Sequence, residues 1–188
     1  PKAELRRHLN YYPACRGKCL PILRHMLQGV DVDPDPLRLD DCGRLETVYE
    51  DGFMAVVNKP PGMLSVPGRT ERRSVQGMLR AQWGGEAEPL MVHRLDMDTS
   101  GLLVVAKSEE ARRLLQAQFE GRSVRKRYVA LLDTPRLQAS EGRISLPIRP
   151  DPMDRPRQVV DREGGREAVT YWRVTGVRGG HVRLALHP

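Results

Sequence analysis

Apolar residues fall along this chain in short bursts, and the bursts change character near residue 45. From there on they have the length and spacing of strands. Leu45–Glu50 and Phe53–Asn58 read as two strands joined at Asp51-Gly52, a strong hairpin signal. Lys59-Pro60-Pro61-Gly62 must leave the sheet, because proline has no amide proton to give to a ladder. Pro61-Gly62 suits the centre of a type II turn. Ser74 to Trp83 reads as a helix with Ser74 as its N-cap. The apolar run Leu102–Ala106 reads as a buried strand, extending over Leu102–Lys107. Ser108 then caps a helix over Glu109–Glu120, whose two first-turn glutamates suit the positive end of the helix dipole. Val124–Leu132, Arg143–Ile148, Ala168–Val177 and His181–Leu186 complete a strand-rich second half, with residues 149–167 expected as a long mobile loop. Strands and helices without strict βα alternation predict an α+β fold: a mixed, largely antiparallel sheet flanked by helices. No internal repeat or low-complexity tract interrupts the pattern.

Residues 1–43 differ. They predict a short helix from Pro21 to Gly29, then the acidic, proline-spaced Asp31-Val32-Asp33-Pro34-Asp35-Pro36, which resists helix and reads as a linker. The expected division is an N-terminal extension over 1–43 and one domain over 44–188, a length that allows one good core. All three cysteines, Cys15, Cys19 and Cys42, lie in the extension. An odd number argues against a disulfide framework and for a reducing, cytoplasmic setting. With His25 they could supply four zinc ligands, but the spacing is irregular, and buried or idle thiols are the default. No apolar run approaches the ~20 residues of a membrane span. The first residues, Pro1 to Arg7, are polar, so no secretory leader is expected; the missing initiator Met suggests a processed or excised chain.

Charge narrows the field. There are 31 Lys and Arg against 24 Asp and Glu, a net charge of +7, with arginine supplying most of the excess. The planar guanidinium grips phosphate with two parallel bonds and stacks on bases, so nucleic acid is the leading partner. A soluble protein of basic charge has the same composition.

The chemistry concentrates in His93-Arg94-Leu95-Asp96-Met97-Asp98-Thr99-Ser100-Gly101. If 91–96 is extended, positions i and i+2 share a face, and Arg94 projects beside Asp96 at the mouth of a turn. The pair reads equally as a site or as a structural ion pair.

Val92–Lys107, VHRLDMDTSGLLVVAK, closely resembles the signature of the RluA-type pseudouridine synthases, which isomerise uridine in RNA. Val56-Val57-Asn58-Lys59-Pro60-Pro61-Gly62 resembles the family's first motif, a strand leading into a Lys-Pro turn. Phe119-Glu120-Gly121-Arg122 and Val124-Arg125-Lys126-Arg127-Tyr128-Val129-Ala130-Leu131 resemble its later Lys-x-Tyr motif. Three matches in order over residues 45–132 are a specific signal, where one HRLD alone is weak.

The resemblance implies the family's catalytic fold and a reaction that breaks the N1–C1′ bond, turns the base and rejoins it through C5. Atoms and oxidation state are conserved, so neither cofactor nor metal is implied. An ionised carboxylate is needed near C1′, as nucleophile or as stabiliser of positive charge. By resemblance it is Asp96. The base must leave its stack at a cost of a few kcal/mol; the resemblance puts Arg94 near its former place and Tyr128 against the uracil, where it could also help remove a proton. Each role has a structural rival. Asp96 could cap the turn at Asp98–Gly101, Arg94 could only pair with Asp96, and Tyr128 could be an ordinary strand tyrosine in register with Lys126. His93 reads as a hydrogen-bonded structural residue ahead of an acid or base. Thr99, Ser100 and Gly101 shape the loop. Lys59 supports substrate contacts or is a solvated lysine beside a turn.

The expected RNA-binding residues are Arg94, Lys59, Arg72, Arg73, Arg125 and Lys126, within a basic surface that also draws on Arg69, Arg122 and Arg127. The expected partner is RNA, ribosomal RNA ahead of transfer RNA, with no membrane and no obligate protein partner. The chain ends at Val182-Arg183-Leu184-Ala185-Leu186-His187-Pro188, where the family runs on into a further motif with a basic partner for the aspartate. A catalytic domain incomplete at its C-terminus is expected, and such a fragment could be inactive. Rival functions are a non-catalytic RNA-binding or ribosome-assembly module and a nucleoside-processing hydrolase.

Overall fold

The computed structural model describes residues 43–68, 73–154 and 157–188. Residues 1–42, with the expected short helix, linker and all three cysteines, lie outside them, as do Arg69 and Arg72. The chain divides after Val124 into two compact units, the second running from Arg125 to Pro188.

Among the described residues the first unit holds one four-stranded antiparallel sheet and two helices. Its strands are β1 (Glu46–Glu50), β2 (Met54–Lys59), β3 (Leu90–Met91) and β4 (Gly101–Ala106), in spatial order β1-β2-β4-β3. The hairpin at Asp51-Gly52 forms, but not through a left-handed glycine. Asp51 shapes it instead: its Oδ1 accepts from the amides of Phe53 (2.7 Å) and Met54 (2.8 Å), and its Oδ2 from the Tyr49 hydroxyl at 2.7 Å. β2 and β4 are buried on both faces. Met54, Val56, Val104 and Ala106 pack with Ala111 and Leu115 of the second helix, while Ala55, Val57, Leu103 and Val105 are fully buried on the alternate positions.

Both helices start where serine predicts. α1 (Val75–Gln82) is capped by Ser74, which accepts from the Gly77 amide, and α2 (Glu109–Glu120) by Ser108, which accepts from Ala111. α1 is tied at both ends: Gln76 Nε2 donates to Pro89 O at 2.9 Å, and Gln82 Oε1 accepts from Leu45 N at 3.0 Å. The Pro61-Gly62 turn also forms, with Gly62 at φ +75° as a type II turn needs.

The second unit is a separate antiparallel sheet of β5 (Tyr128–Leu132), β6 (Glu141–Ser145), β9 (Val169–Arg178) and β10 (His181–His187), in order β5-β10-β9-β6, plus a small hairpin of β7 (Ile148–Pro150) and β8 (Gln158–Val160). Gly179 and Gly180 close the β9–β10 hairpin, both at positive φ, as a two-residue type I′ turn requires. Three expectations are corrected. Residues 149–167 are not all loop, because β8 pairs with β7 there. The strand expected over Arg143–Ile148 breaks into β6 and β7 at Leu146-Pro147, where proline withholds an amide. The strand expected from Val124 starts only at Tyr128, after the consecutive basic residues Arg125, Lys126 and Arg127. All pairings between named strands are antiparallel, in more than one sheet. Among the described residues no helix is long and apolar enough to cross a membrane.

Candidate active site

Residues 92–100 form the loop between β3 and β4, and their burial alternates. Val92 and Leu95 are buried, whereas Arg94, Asp96 and Asp98 are exposed. The apolar residues thus root the loop in the core and the charged ones stand out from it, with Arg94 and Asp96 on either side of the buried Leu95. No ion pair joins Arg94 to Asp96 among the described residues. The rival in which they serve only to neutralise each other has no geometric support.

Two buried polar side chains hold the loop from beneath. Lys59, the last residue of β2, is fully buried and lies opposite Gly101, the first of β4. Its Nζ donates to three carbonyls: Pro60 at 3.0 Å, Met63 at 2.7 Å and Met97 at 2.8 Å. An ammonium has three protons, so all are used. Burial pushes its pKa down from the ordinary lysine value, against the opposing attraction of Asp98 and then Asp96. The second anchor is Ser65. Its hydroxyl donates to Leu95 O at 2.6 Å and accepts from Leu95 N at 3.0 Å. Ser65 is itself fixed, because α1 begins against it: Val75 N donates to Leu64 O and Gln76 N to Ser65 O.

The remaining loop residues complete the frame. His93 Nε2 accepts from the Val104 amide at 3.1 Å, and its ring stacks on Phe119 with centroids 4.3 Å apart. That nitrogen carries no proton, and the ring is built into the fold. Thr99 N donates to Asp96 O at 3.1 Å, so it is the backbone of Asp96, not its carboxylate, that closes the turn. Gly101 has φ +130°, a conformation that side chains disfavour.

The expected contact residues therefore separate. Arg94 and Arg73 are exposed in the first unit; Arg125 and Lys126 are exposed and Tyr128 half-buried in the second. Lys126 precedes β5, so the expectation that it shares a strand with Tyr128 is corrected. Lys59 is corrected too: a fully buried ammonium with every proton on a carbonyl has nothing to offer a phosphate. Sequence reasoning misses Ser65. Its signal is a lone hydroxyl in the apolar run Met63-Leu64-Ser65-Val66, since a buried hydroxyl must find partners.

The arrangement presents a carboxylate and a guanidinium to solvent on a loop whose backbone is fixed. It can place an anion against an electrophilic carbon with little reorganisation.

Comparison with known proteins gives the same family. The chain is 41% identical over 133 residues to the dual-specificity RNA pseudouridine synthase RluA of Haemophilus ducreyi, covering 69% of this chain and 59% of that protein. It is 40% identical over 140 residues to the ribosomal large subunit pseudouridine synthase D of Zymomonas mobilis, covering 69% and 43%. The chain thus spans less than two thirds of the length of these relatives. Among solved structures, human RNA pseudouridylate synthase domain containing 1 superposes with a TM-score of 0.62 at 26% identity, covering 81% of this chain and 62% of that one. The model of one family, RNA pseudouridylate synthase, matches residues 54–187, a stretch that includes both anchors, the Arg94–Asp96 loop and the tyrosine strand; the chain belongs to that family.

Proposed function

We propose that the protein of which this chain is part isomerises uridine to pseudouridine in RNA, with Asp96 as the catalytic carboxylate. The observation that carries the reading is the loop itself: Asp96 and Arg94 are exposed while the Leu95 between them is bonded on both backbone groups by Ser65. A nucleophile needs access and a fixed position together.

In this mechanism the Asp96 carboxylate attacks or stabilises C1′ as the N1–C1′ bond breaks. The freed base turns, C5 bonds to C1′ and displaces the Asp96 carboxylate wherever it had bonded there, and the proton on C5 is lost as N1 gains one. Arg94 stands near the place the flipped nucleotide has left, and Tyr128 packs on the uracil and assists proton removal. Arg73, Arg125 and Lys126 contact phosphates, with Arg72 beside Arg73 in sequence. The family match and the named relatives support RNA as substrate, and the Zymomonas relative, named for the ribosomal large subunit, favours ribosomal RNA. Residues 44–188 carry the catalytic part and 1–43 an extension, in a protein that works in the cytoplasm.

The test is release of tritium from RNA carrying 5-tritiated uridine, using the full-length protein. Asp96→Asn should lower release about 10³-fold or more while leaving RNA binding intact. Release that survives this change would remove Asp96 from the mechanism. Free uracil in place of pseudouridine would point to hydrolysis.

A further inference from the structure

The second unit's sheet sorts most of its residues by face. In β10, His181-Val182-Arg183-Leu184-Ala185-Leu186-His187 alternates, and its partners follow the register. Val182, Leu184 and Leu186 share one face with Trp172 and Val174 of β9, directly opposite or flanking them. Gly142 of β6 lies across from Trp172, and a Cβ there would come within 2.8 Å of the indole ring, so the ring lies close over that strand. This is an apolar face, with Val182 fully buried.

The opposite face carries arginines on β6, β9 and β10, with the apolar Ala185 and Val169 between and beside them, and turns apolar at the β5 edge with Val129 and Leu131. Arg183 and Arg178 lie on it, with Arg173 across from Ala185 and Arg143 across from Tyr171. All four arginines and Tyr171 are exposed. The one carboxylate on this face within the strands is Glu141, opposite Arg173. None of the four arginines has an ion pair among the described residues. Arg143 instead lies over the Tyr171 ring at 6.0 Å and donates to Ser145 at 3.3 Å. Four other arginines, Arg80, Arg112, Arg149 and Arg157, do have a carboxylate partner. Four cations against one carboxylate on one pleated face, beside an aromatic ring, complement a polyanion with stackable bases.

We propose that this face binds the phosphate backbone of the RNA, as a contact surface made of residues that the reaction does not use. The inference rests on the reading that the substrate is RNA. It assigns part of the binding to Arg143, Arg173 and Arg183, which hold the RNA by charge and leave recognition of the uridine to other residues.

The test uses the full-length protein and a fluorescein-labelled RNA hairpin, with affinity measured by anisotropy between about 50 and 200 mM salt. Removing one arginine–phosphate interaction should reduce the slope of log affinity against log salt by roughly 0.7–0.9. The combined variant Arg143→Gln, Arg173→Gln, Arg183→Gln should therefore lose about two units of slope and bind at least roughly tenfold more weakly at low salt. The same three positions changed to Lys should recover most of the slope, which a folding defect would not allow. Arg157→Gln, whose charge is already paired with Asp154 on the β7–β8 hairpin, should leave the slope unchanged. An unchanged slope in the triple Gln variant would overturn the proposal, and is the result expected if an acidic protein segment occupies this face instead. Tritium release from the same RNA separates the two readings. Its absence in the wild type counts against isomerisation, whereas the slope decides the fate of the basic face.

Discussion

Ser65 and Leu95 are joined twice, the serine hydroxyl donating to the Leu95 carbonyl at 2.6 Å and accepting from its amide at 3.0 Å. A single hydroxyl thereby satisfies both backbone groups of the residue between Arg94 and Asp96. It fixes the peptide planes on either side of Leu95, and with them the directions in which the two charged side chains leave the loop.

Removing that hydroxyl should therefore separate catalysis from binding. Ser65→Ala leaves a buried donor and acceptor unmatched, which should destabilise the protein by about 1–3 kcal/mol. At a temperature where the variant is still folded, kcat for tritium release should fall roughly 10–100-fold with KM changed far less. Equal losses in both would mean that Ser65 acts on substrate binding.

Lys59 gives a prediction with a sign in pH. Lys59→Met removes the donor from three carbonyls and should cost about 1–3 kcal/mol at neutral pH, read by denaturant unfolding. Because the folded pKa of Lys59 lies below its ordinary 10.5, the unfolded chain binds more protons than the native one between those two values. Wild-type stability should then gain on the variant as pH rises through that window, and the gap should be flat below it. A gap that narrows with rising pH would mean that the native lysine holds its proton more tightly than the unfolded one.

His93 should matter to stability more than to chemistry. Its Nε2 is occupied by the Val104 amide and its ring by Phe119, so His93→Ala should destabilise by about 1–3 kcal/mol. Tritium release by the folded variant should stay within about tenfold of wild type. A loss of roughly 100-fold or more would restore it as an acid or base.

At Gly101 the obstacle is conformation and not space. Nothing lies within 4 Å of where a Cβ would stand, yet φ is +130°. Gly101→Ala should still cost about 1–3 kcal/mol of strain. A neutral result in thermal unfolding would show that the loop relaxes to another backbone.

Much of the first unit is legible in its local chemistry. Ser74 and Ser108 mark helix starts because a hydroxyl before an amphipathic run has orphan amides to satisfy, and Pro61-Gly62 marks a turn because few other pairs fit it. The alternation of charged and apolar residues over Arg94-Leu95-Asp96 matches the exposure of the two charged residues around a buried Leu95. Long-range partners are not legible. Lys59 has the charge of a solvent residue, and only its place two after Val57, on the face of β2 that also holds Ala55, hints otherwise. Ser65 meets Leu95 thirty residues away, a contact that no local pattern encodes. The β7–β8 hairpin escapes because three-residue strands among prolines and glycines are too short to show a period.

The two anchors of the aspartate loop are side-chain ties, not rungs of a sheet. Heat should therefore silence the protein before it melts it. As the turn at residues 60–63 and the segment around Ser65 loosen, Asp96 loses its setting while the β2–β4 ladder remains paired, so inactivation should set in at a lower temperature than the loss of strand signal in circular dichroism.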